Sequence, residues 1–204
     1  MARRPDLPRR LHRAGAIVVG VYVLVHLVNH LAALGGIETH IVFMQAARKV
    51  TRIPAVEALL LAAVAVQAGS GLRLLWRRRG RHFPQQTRPL DRLQALSGAY
   101  LAFFLAVHVV SVLFGRAVLH LDTNFYFAAA GLQVGPYPLF FVPYYGLAVA
   151  ALFVHLGCFL RRIANRLAWG SIALGAVAAV LIVAAFSGVF YPVELPPAYR
   201  ATFS

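Results

Sequence analysis

The sequence predicts an all-α integral membrane protein, built as a bundle of five transmembrane helices. Of its 204 residues, 60% are hydrophobic and only 13% are charged, and the mean hydropathy is +0.71. Soluble domains are about 45–50% apolar, and a water-soluble core of this size could hide few of the Leu, Val and Ala side chains. The composition therefore indicates lipid as the solvent for much of the surface.

Five apolar runs are long enough to cross a bilayer, because about 20 helical residues span its ~30 Å hydrocarbon layer. The runs lie near residues 14–35, 55–76, 95–115, 137–160 and 168–190. A spanning helix satisfies its own backbone and presents apolar side chains to lipid all round, which is the pattern of each run. Residues 1–13 are then a basic cytoplasmic tail, residues 14–190 the membrane domain and residues 191–204 an external tail.

The distribution of basic residues orients this bundle. Of the 20 Lys and Arg residues, 15 lie in the N-terminal tail, the second-to-third connection and the fourth-to-fifth connection. The positive-inside rule therefore predicts a cytoplasmic N-terminus and a C-terminus outside. Short arginine clusters between apolar runs also argue against nucleic-acid binding, which needs a basic face on a soluble fold.

Two connections on the outer side have mixed composition. Residues 36–53 combine the apolar residues 41–44 with a basic end, as in a helix that lies at the headgroups. Residues 117–136 are expected to be interfacial as well. We therefore predict ordered segments here rather than disordered linkers.

Histidines lie at membrane depth in three of the spans: His26 and His30 in the first, His108 in the third and His155 in the fourth. Ionisable residues inside a span are costly to bury and are functional candidates by default. Neutral imidazoles from two helices can hold a haem iron. The single cysteine, Cys158, excludes internal disulfides and a cysteine-built metal site.

His26 and His108 lie at similar depths in their spans. The two residues lie about nine and about seven residues from the outer ends of their spans, so at 1.5 Å per residue their depths agree within roughly 3 Å. His30 lies one turn beyond His26 on the same helix face, so either residue could be the ligand. This pair predicts a haem b towards the outer side.

The inner side offers a less complete pair. His155 lies about five residues from the inner end of its span, and Gln67 is the polar side chain at the nearest depth on the second span. Gln67 precedes Gly69-Ser70-Gly71, where small residues would let a flat ring approach the backbone. Glutamine binds iron less well than imidazole, so the sequence leaves open whether a second haem binds here. His12 and His40 fall at the membrane interfaces, where solvation is sufficient to explain them.

Several short motifs follow one another along the chain in a distinctive order and at distinctive spacings. They are Arg10-Leu11-His12, Gly20 six residues before His26, Asn29-His30, Phe43-Met44, Pro54 to Glu57, Leu93-Gln94 and Ser97-Gly98 ahead of His108, and Tyr145 ten residues before His155. With these motifs the chain resembles the five-helix cytochrome b subunit that anchors bacterial succinate dehydrogenases and fumarate reductases, the succinate:quinone oxidoreductases. The resemblance covers nearly the whole chain.

The resemblance implies His26 and His108 as ligands of the outer haem and His155 as a ligand of an inner haem, for which the family has a histidine at Gln67. It implies a flavoprotein and an iron–sulfur subunit as partners on the cytoplasmic side of the bacterial inner membrane, and a membrane quinone as the substrate. The chain has neither a dinucleotide-binding fingerprint nor iron–sulfur cysteines, so oxidoreductase activity would belong to the complex. Its arginines would contact the partner or anionic lipid headgroups. The resemblance leaves open whether the chain forms a homo-oligomer.

A non-catalytic membrane protein is the alternative. The stretch Phe141-Val142-Pro143-Tyr144-Tyr145 also resembles a mitochondrial adaptor family with a five-helix domain of this kind. In that case the histidines would be structural, or would hold a haem used for sensing without a dehydrogenase partner.

Overall fold

The computed structural model describes residues 6–79 and 89–203. Within these residues the chain is helical and has no strand. The helices are α1 (Leu7–Ala32), α2 (Ile37–Thr51), α3 (Pro54–Arg79), α4 (Pro89–Ala117), α5 (Phe125–Gln133), α6 (Pro138–Leu160), α7 (Asn165–Phe186) and α8 (Pro197–Arg200). Arg3, Arg4, Arg81 and Arg88, which contribute to the predicted orientation, lie outside the described residues.

Five helices, α1, α3, α4, α6 and α7, are long and apolar enough to cross a membrane, which confirms the five predicted spans. The first begins at Leu7, inside the segment that the sequence assigned to a tail. Asp6 caps this helix by accepting a hydrogen bond from the Arg9 backbone N–H at 3.4 Å, and Pro8 lies in its first turn. The last span ends at Phe186, four residues before the predicted end, and Gly188 follows with φ at 76°.

The connection after α1 folds back onto the bundle. Gly36 has φ at 106°, a conformation that favours glycine, and it separates the 3₁₀ turn Ala33–Gly35 from α2. The helix predicted in residues 36–53 is therefore confirmed. Residues 117–136 contain α5, which Asn124 caps by accepting a hydrogen bond from the Tyr126 backbone N–H at 3.0 Å.

An aromatic cluster closes the end of the bundle where α2, α5 and α7 meet. Phe125 is fully buried and stacks on Phe186, with their ring centroids 4.5 Å apart. His40 lies against both rings, is only 2% exposed, and accepts a hydrogen bond from the Asn29 amide at 3.1 Å. The expectation that solvation explains His40 is wrong, because the turn at Gly36 packs α2 against α1. Burial, together with the nearby positive charge of Arg48, lowers the pKa of His40 to about 4.

The C-terminal residues also pack on this end. The Tyr191 hydroxyl donates to the Ala33 carbonyl at 2.6 Å, and the Tyr199 hydroxyl donates to the Asp122 carbonyl at 2.9 Å. Two part-buried hydrogen bonds therefore hold residues 191–203 against the segments that follow α1 and precede α5.

The spanning helices contact one another in chain order, α1 with α3, α3 with α4, α4 with α6 and α6 with α7, and α7 also touches α1. The α6–α7 contact depends on glycines. A Cβ on Gly157 would lie 2.8 Å from the Ala168 carbonyl oxygen, and a Cβ on Gly175 would lie 2.2 Å from the Cβ of Phe153. Small residues at such positions let membrane helices approach closely.

Replacing Gly175 with Ala is expected to destabilise the protein by about 1–3 kcal/mol, because the added methyl group forces α7 away from α6. The matched control is Gly170→Ala on the same helix, where an added Cβ meets nothing within 4 Å. Thermal unfolding of the detergent-purified variants, followed by tryptophan fluorescence, measures the difference. Equal midpoints for the two variants would contradict the packing described for Gly175.

Candidate functional site

A cavity of about 2140 Å³ lies inside the bundle, with walls contributed by α1, α3, α4 and α6 and mostly apolar lining. Sites for one small molecule usually have about 300–1,000 Å³, so this space can hold more than one ligand. The five residues predicted for the site all line it, and so do two histidines that the sequence placed at interfaces. These lining residues are His26, His30, His108, His155 and Gln67, with His12 and His40 in addition.

His26 on α1 and His108 on α4 face each other across the cavity, with ring centroids 6.1 Å apart. Two imidazoles that bind one metal atom from opposite sides have ring centroids about 6.3 Å apart, given metal–nitrogen bonds of about 2.0–2.1 Å and a ring radius of about 1.1 Å. The observed separation therefore fits a metal between the two rings. Tyr22 stacks on His26 and Phe104 stacks on His108, which limits rotation of both imidazoles. We call this pair the His26 site.

His30 lies beside this pair. Its Nε2 lies 3.0 Å from the Nε2 of His26, and its ring stacks on His40 with centroids 5.6 Å apart. The α1 ring in contact with His108 is that of His26, so this geometry favours His26 over His30 as the partner of His108. The Nδ1 atoms of His30 and His40 are buried and have no hydrogen-bond partner among the described residues. Such atoms are costly in an apolar surrounding unless a ligand or water satisfies them.

Arginines line the cavity near the His26 site. Arg116 forms an ion pair with Glu57, Arg48 bonds Asp122 at 2.6 Å, and Arg52 donates to the Thr123 hydroxyl at 3.2 Å. Burial and the neighbouring Arg48 and Arg116 lower the pKa of Arg52 below its usual value. Three guanidinium groups near two carboxylates leave a local positive charge, which suits an anionic group such as a haem propionate.

His12 on α1 and His155 on α6 form a second pair, with ring centroids 6.5 Å apart. Gln67 lies against His12, and the distance from its Nε2 to the Nε2 of His12 is 3.4 Å. Ser70 and Ser97 lie 3.2 Å and 3.3 Å from the Nδ1 atoms of His12 and His155. We call this pair the His12 site.

The sequence analysis missed His12 because it placed the residue in a tail rather than in the helix. A signal was available, since His12 precedes His26 by 14 residues, which is close to four helical turns. The two side chains therefore lie near one face of α1 if the helix includes residue 12. Residue 12 does belong to the helix, because Asp6 caps α1 and the helix begins at Leu7.

The donor set fits haem. A haem iron that takes two protein ligands would find them here, because each pair offers two imidazoles from different helices. Among the described residues there is no group of three or more His, Cys, Asp or Glu side chains that could hold a bare metal ion. The apolar walls and the arginines match the two parts of haem b, its flat ring and its carboxylates.

The histidine pairs and the cavity are the features from which a function can be inferred. Comparisons of the chain with protein-family models, curated proteins and solved structures found no match. The chemistry of the pairs therefore carries the functional inference.

Proposed function

We propose that this protein is a membrane cytochrome b that holds haem b between His26 and His108. It passes electrons between a membrane quinone and a peripheral dehydrogenase of the succinate dehydrogenase or fumarate reductase type. The observation that carries the proposal is the 6.1 Å separation of the two imidazoles, which project into an apolar cavity from α1 and α4. When bound, haem b supplies one-electron chemistry at its iron.

The residues of the chain bind and orient the cofactor. His26 on α1 and His108 on α4 would hold the iron, while Tyr22 and Phe104, which stack on these two rings, would keep the imidazole planes in place. The apolar walls of α1, α3, α4 and α6 exclude water from the ring faces. Arg52, next to the paired Arg48 and Arg116, is suited to the propionate carboxylates.

A quinone has an apolar body and carbonyl oxygens that need hydrogen-bond partners. The cavity wall at the His26 site includes His30 and His40, whose Nδ1 atoms are buried without a hydrogen-bond partner among the described residues and would reach a quinone only after a movement of the rings. With a pKa of about 4, His40 is neutral at pH 7 and can exchange hydrogen bonds without carrying a charge. These two residues support a quinone position beside His26.

The partner would dock at the end of the bundle where α1 begins. Arg77 pairs with Asp6 and Arg161 pairs with Asp91, while Arg9, Arg10, Arg13, Arg162 and Arg166 add positive charge to this end. The flavoprotein and iron–sulfur subunits would present an acidic surface here, and anionic lipid headgroups would also be attracted. This arrangement corresponds to a cytoplasmic N-terminus in a bacterial inner membrane.

Replacing His108 with Ala is expected to remove one haem b per chain, because one of the two imidazoles that would hold the iron is lost. The measurement is the pyridine haemochrome absorbance of protein expressed with a haem supply and quantified in the same sample. The matched control is His120→Asn, since His120 is exposed, and its φ of 53° is one that asparagine tolerates. Equal haem content in the His108→Ala variant and the wild type would contradict the proposal.

Purification from native membranes tests the partner. We expect two soluble subunits, one carrying flavin and one carrying iron–sulfur clusters, to co-purify with the chain. Succinate should then reduce the haem, seen as a change in its absorbance, and fumarate should reoxidise it. A haem-containing chain that purifies alone and does not respond to either compound would instead support an adaptor or a sensor.

A further inference from the structure

We infer that His12 and His155 hold a second haem b, with His12 in the ligand role for which the sequence offered Gln67. The inference rests on the proposed function, because it concerns the same cavity and the same cofactor. The two rings lie 6.5 Å apart, against about 6.3 Å for two imidazoles that share one metal atom. They come from α1 and α6 and line the same cavity.

Hydrogen bonds fix the tautomer of His12. The Ser70 hydroxyl donates its proton to the Val66 carbonyl at 2.5 Å, one turn earlier on α3. The Ser70 oxygen can therefore only accept from His12, whose Nδ1 lies 3.2 Å away and must carry the hydrogen. The Nε2 of His12 then carries a lone pair, which is the state that binds a metal.

The same construction holds His155. The Ser97 oxygen lies 3.3 Å from both the Gln94 carbonyl oxygen and the Nδ1 of His155. When the hydroxyl donates to Gln94, its oxygen accepts from the Nδ1 of His155. In that arrangement the Nε2 of His155 carries a lone pair as well. Metal-binding histidines typically donate their other ring N–H to an oxygen in this way, which orients the imidazole.

Each histidine also lies over a glycine that follows the serine. A Cβ on Gly71 would lie 3.2 Å from the Cε1 of His12, and a Cβ on Gly98 would lie 3.1 Å from the Cε1 of His155. The pairs Ser70-Gly71 on α3 and Ser97-Gly98 on α4 thus form two equivalent cradles for two imidazoles. Glycine suits each cradle, because an added Cβ would be in tight contact with the ring and would require a shift of a few tenths of an ångström.

Gln67 is a neighbour of the ligand in this arrangement. Its Nε2 lies 3.4 Å from the Nε2 of His12, while its Oε1 is buried and has no partner among the described residues. Imidazole is the stronger iron ligand, and His12 brings one to the cavity at this depth. His12 therefore replaces the imidazole that α3 lacks.

A second site changes what the chain can do. His12 and His26 are 14 residues apart on one helix, or about 21 Å along its axis. That separation covers much of the ~30 Å hydrocarbon layer. The chain would hold one iron near each face of the membrane, as transfer between a quinone at one face and a partner at the other requires.

The test measures haem per chain by pyridine haemochrome in the wild type and in four variants of the full-length protein. We expect two haems in the wild type, one in His12→Ala, one in His108→Ala and none when both replacements are combined. Gln67→Leu, which is similar in volume and has no ligand atom, should keep both haems. Helical circular dichroism and elution as a single peak confirm that each variant is folded.

A wild type with one haem, lost in His108→Ala and kept in His12→Ala, would overturn this inference and leave the proposed function intact. A wild type without haem would overturn both. Loss of one haem in Gln67→Leu while His12→Ala keeps two would identify Gln67 as the ligand and overturn the role of His12.

A ligand-exchange variant covers the case in which His12→Ala does not fold. Methionine is also a haem ligand, so His12→Met should change half of the haem from a two-histidine spectrum to a histidine–methionine spectrum, measured by electron paramagnetic resonance and visible absorbance. A spectrum unchanged from that of the wild type would overturn the inference.

Discussion

A polar side chain inside lipid must find partners within the protein, and this constraint shapes the interior of the bundle. Water is absent from the hydrocarbon layer, so an unpaired imidazole nitrogen there is costly. The three histidines of α1 contact side chains of other elements or of α1 itself: Ser70 and Gln67 lie against His12, His30 and His108 lie against His26, and His40 stacks on His30. The buried Nδ1 of His30 is the exception, since it has no hydrogen-bond partner among the described residues. Because these contacts all face one cavity, α1 serves as its polar wall.

The second constraint is the close approach of helices that gain no hydrophobic free energy from one another in lipid. Small residues allow this approach, but they do two different things in this bundle. Gly157 and Gly175 bring α6 and α7 into direct backbone and side-chain contact. Gly71 and Gly98 instead make room for histidine rings between the helices, so the same residue type closes one interface and keeps another open.

The two ends of the cavity differ in construction. At the His26 site, α2, α5 and α7 cover the bundle with the Phe125–Phe186 stack, and the arginines there are held by carboxylates and Thr123. At the His12 site, serine hydroxyls of α3 and α4 orient the imidazoles directly. Aromatic and charged groups thus surround one pair, whereas hydroxyl–imidazole hydrogen bonds hold the other. A cofactor at each end would experience a different electrostatic environment.

The amino-acid sequence alone indicated five helices long and apolar enough to span a membrane, the all-α class, and a common depth for His108 and the two α1 histidines, His26 and His30. Each follows from a local property, namely the length of an apolar run, the rise per residue and the position of a residue within its span. Only the tertiary structure decided that His40 is buried and that His12 meets His155. The burial of His40 depends on the turn at Gly36. The contact between His12 and His155 depends on the start of α1 at Leu7 and on the packing of α1 near α6. Contacts between distant segments are set by packing, which hydropathy and spacing along one chain do not encode.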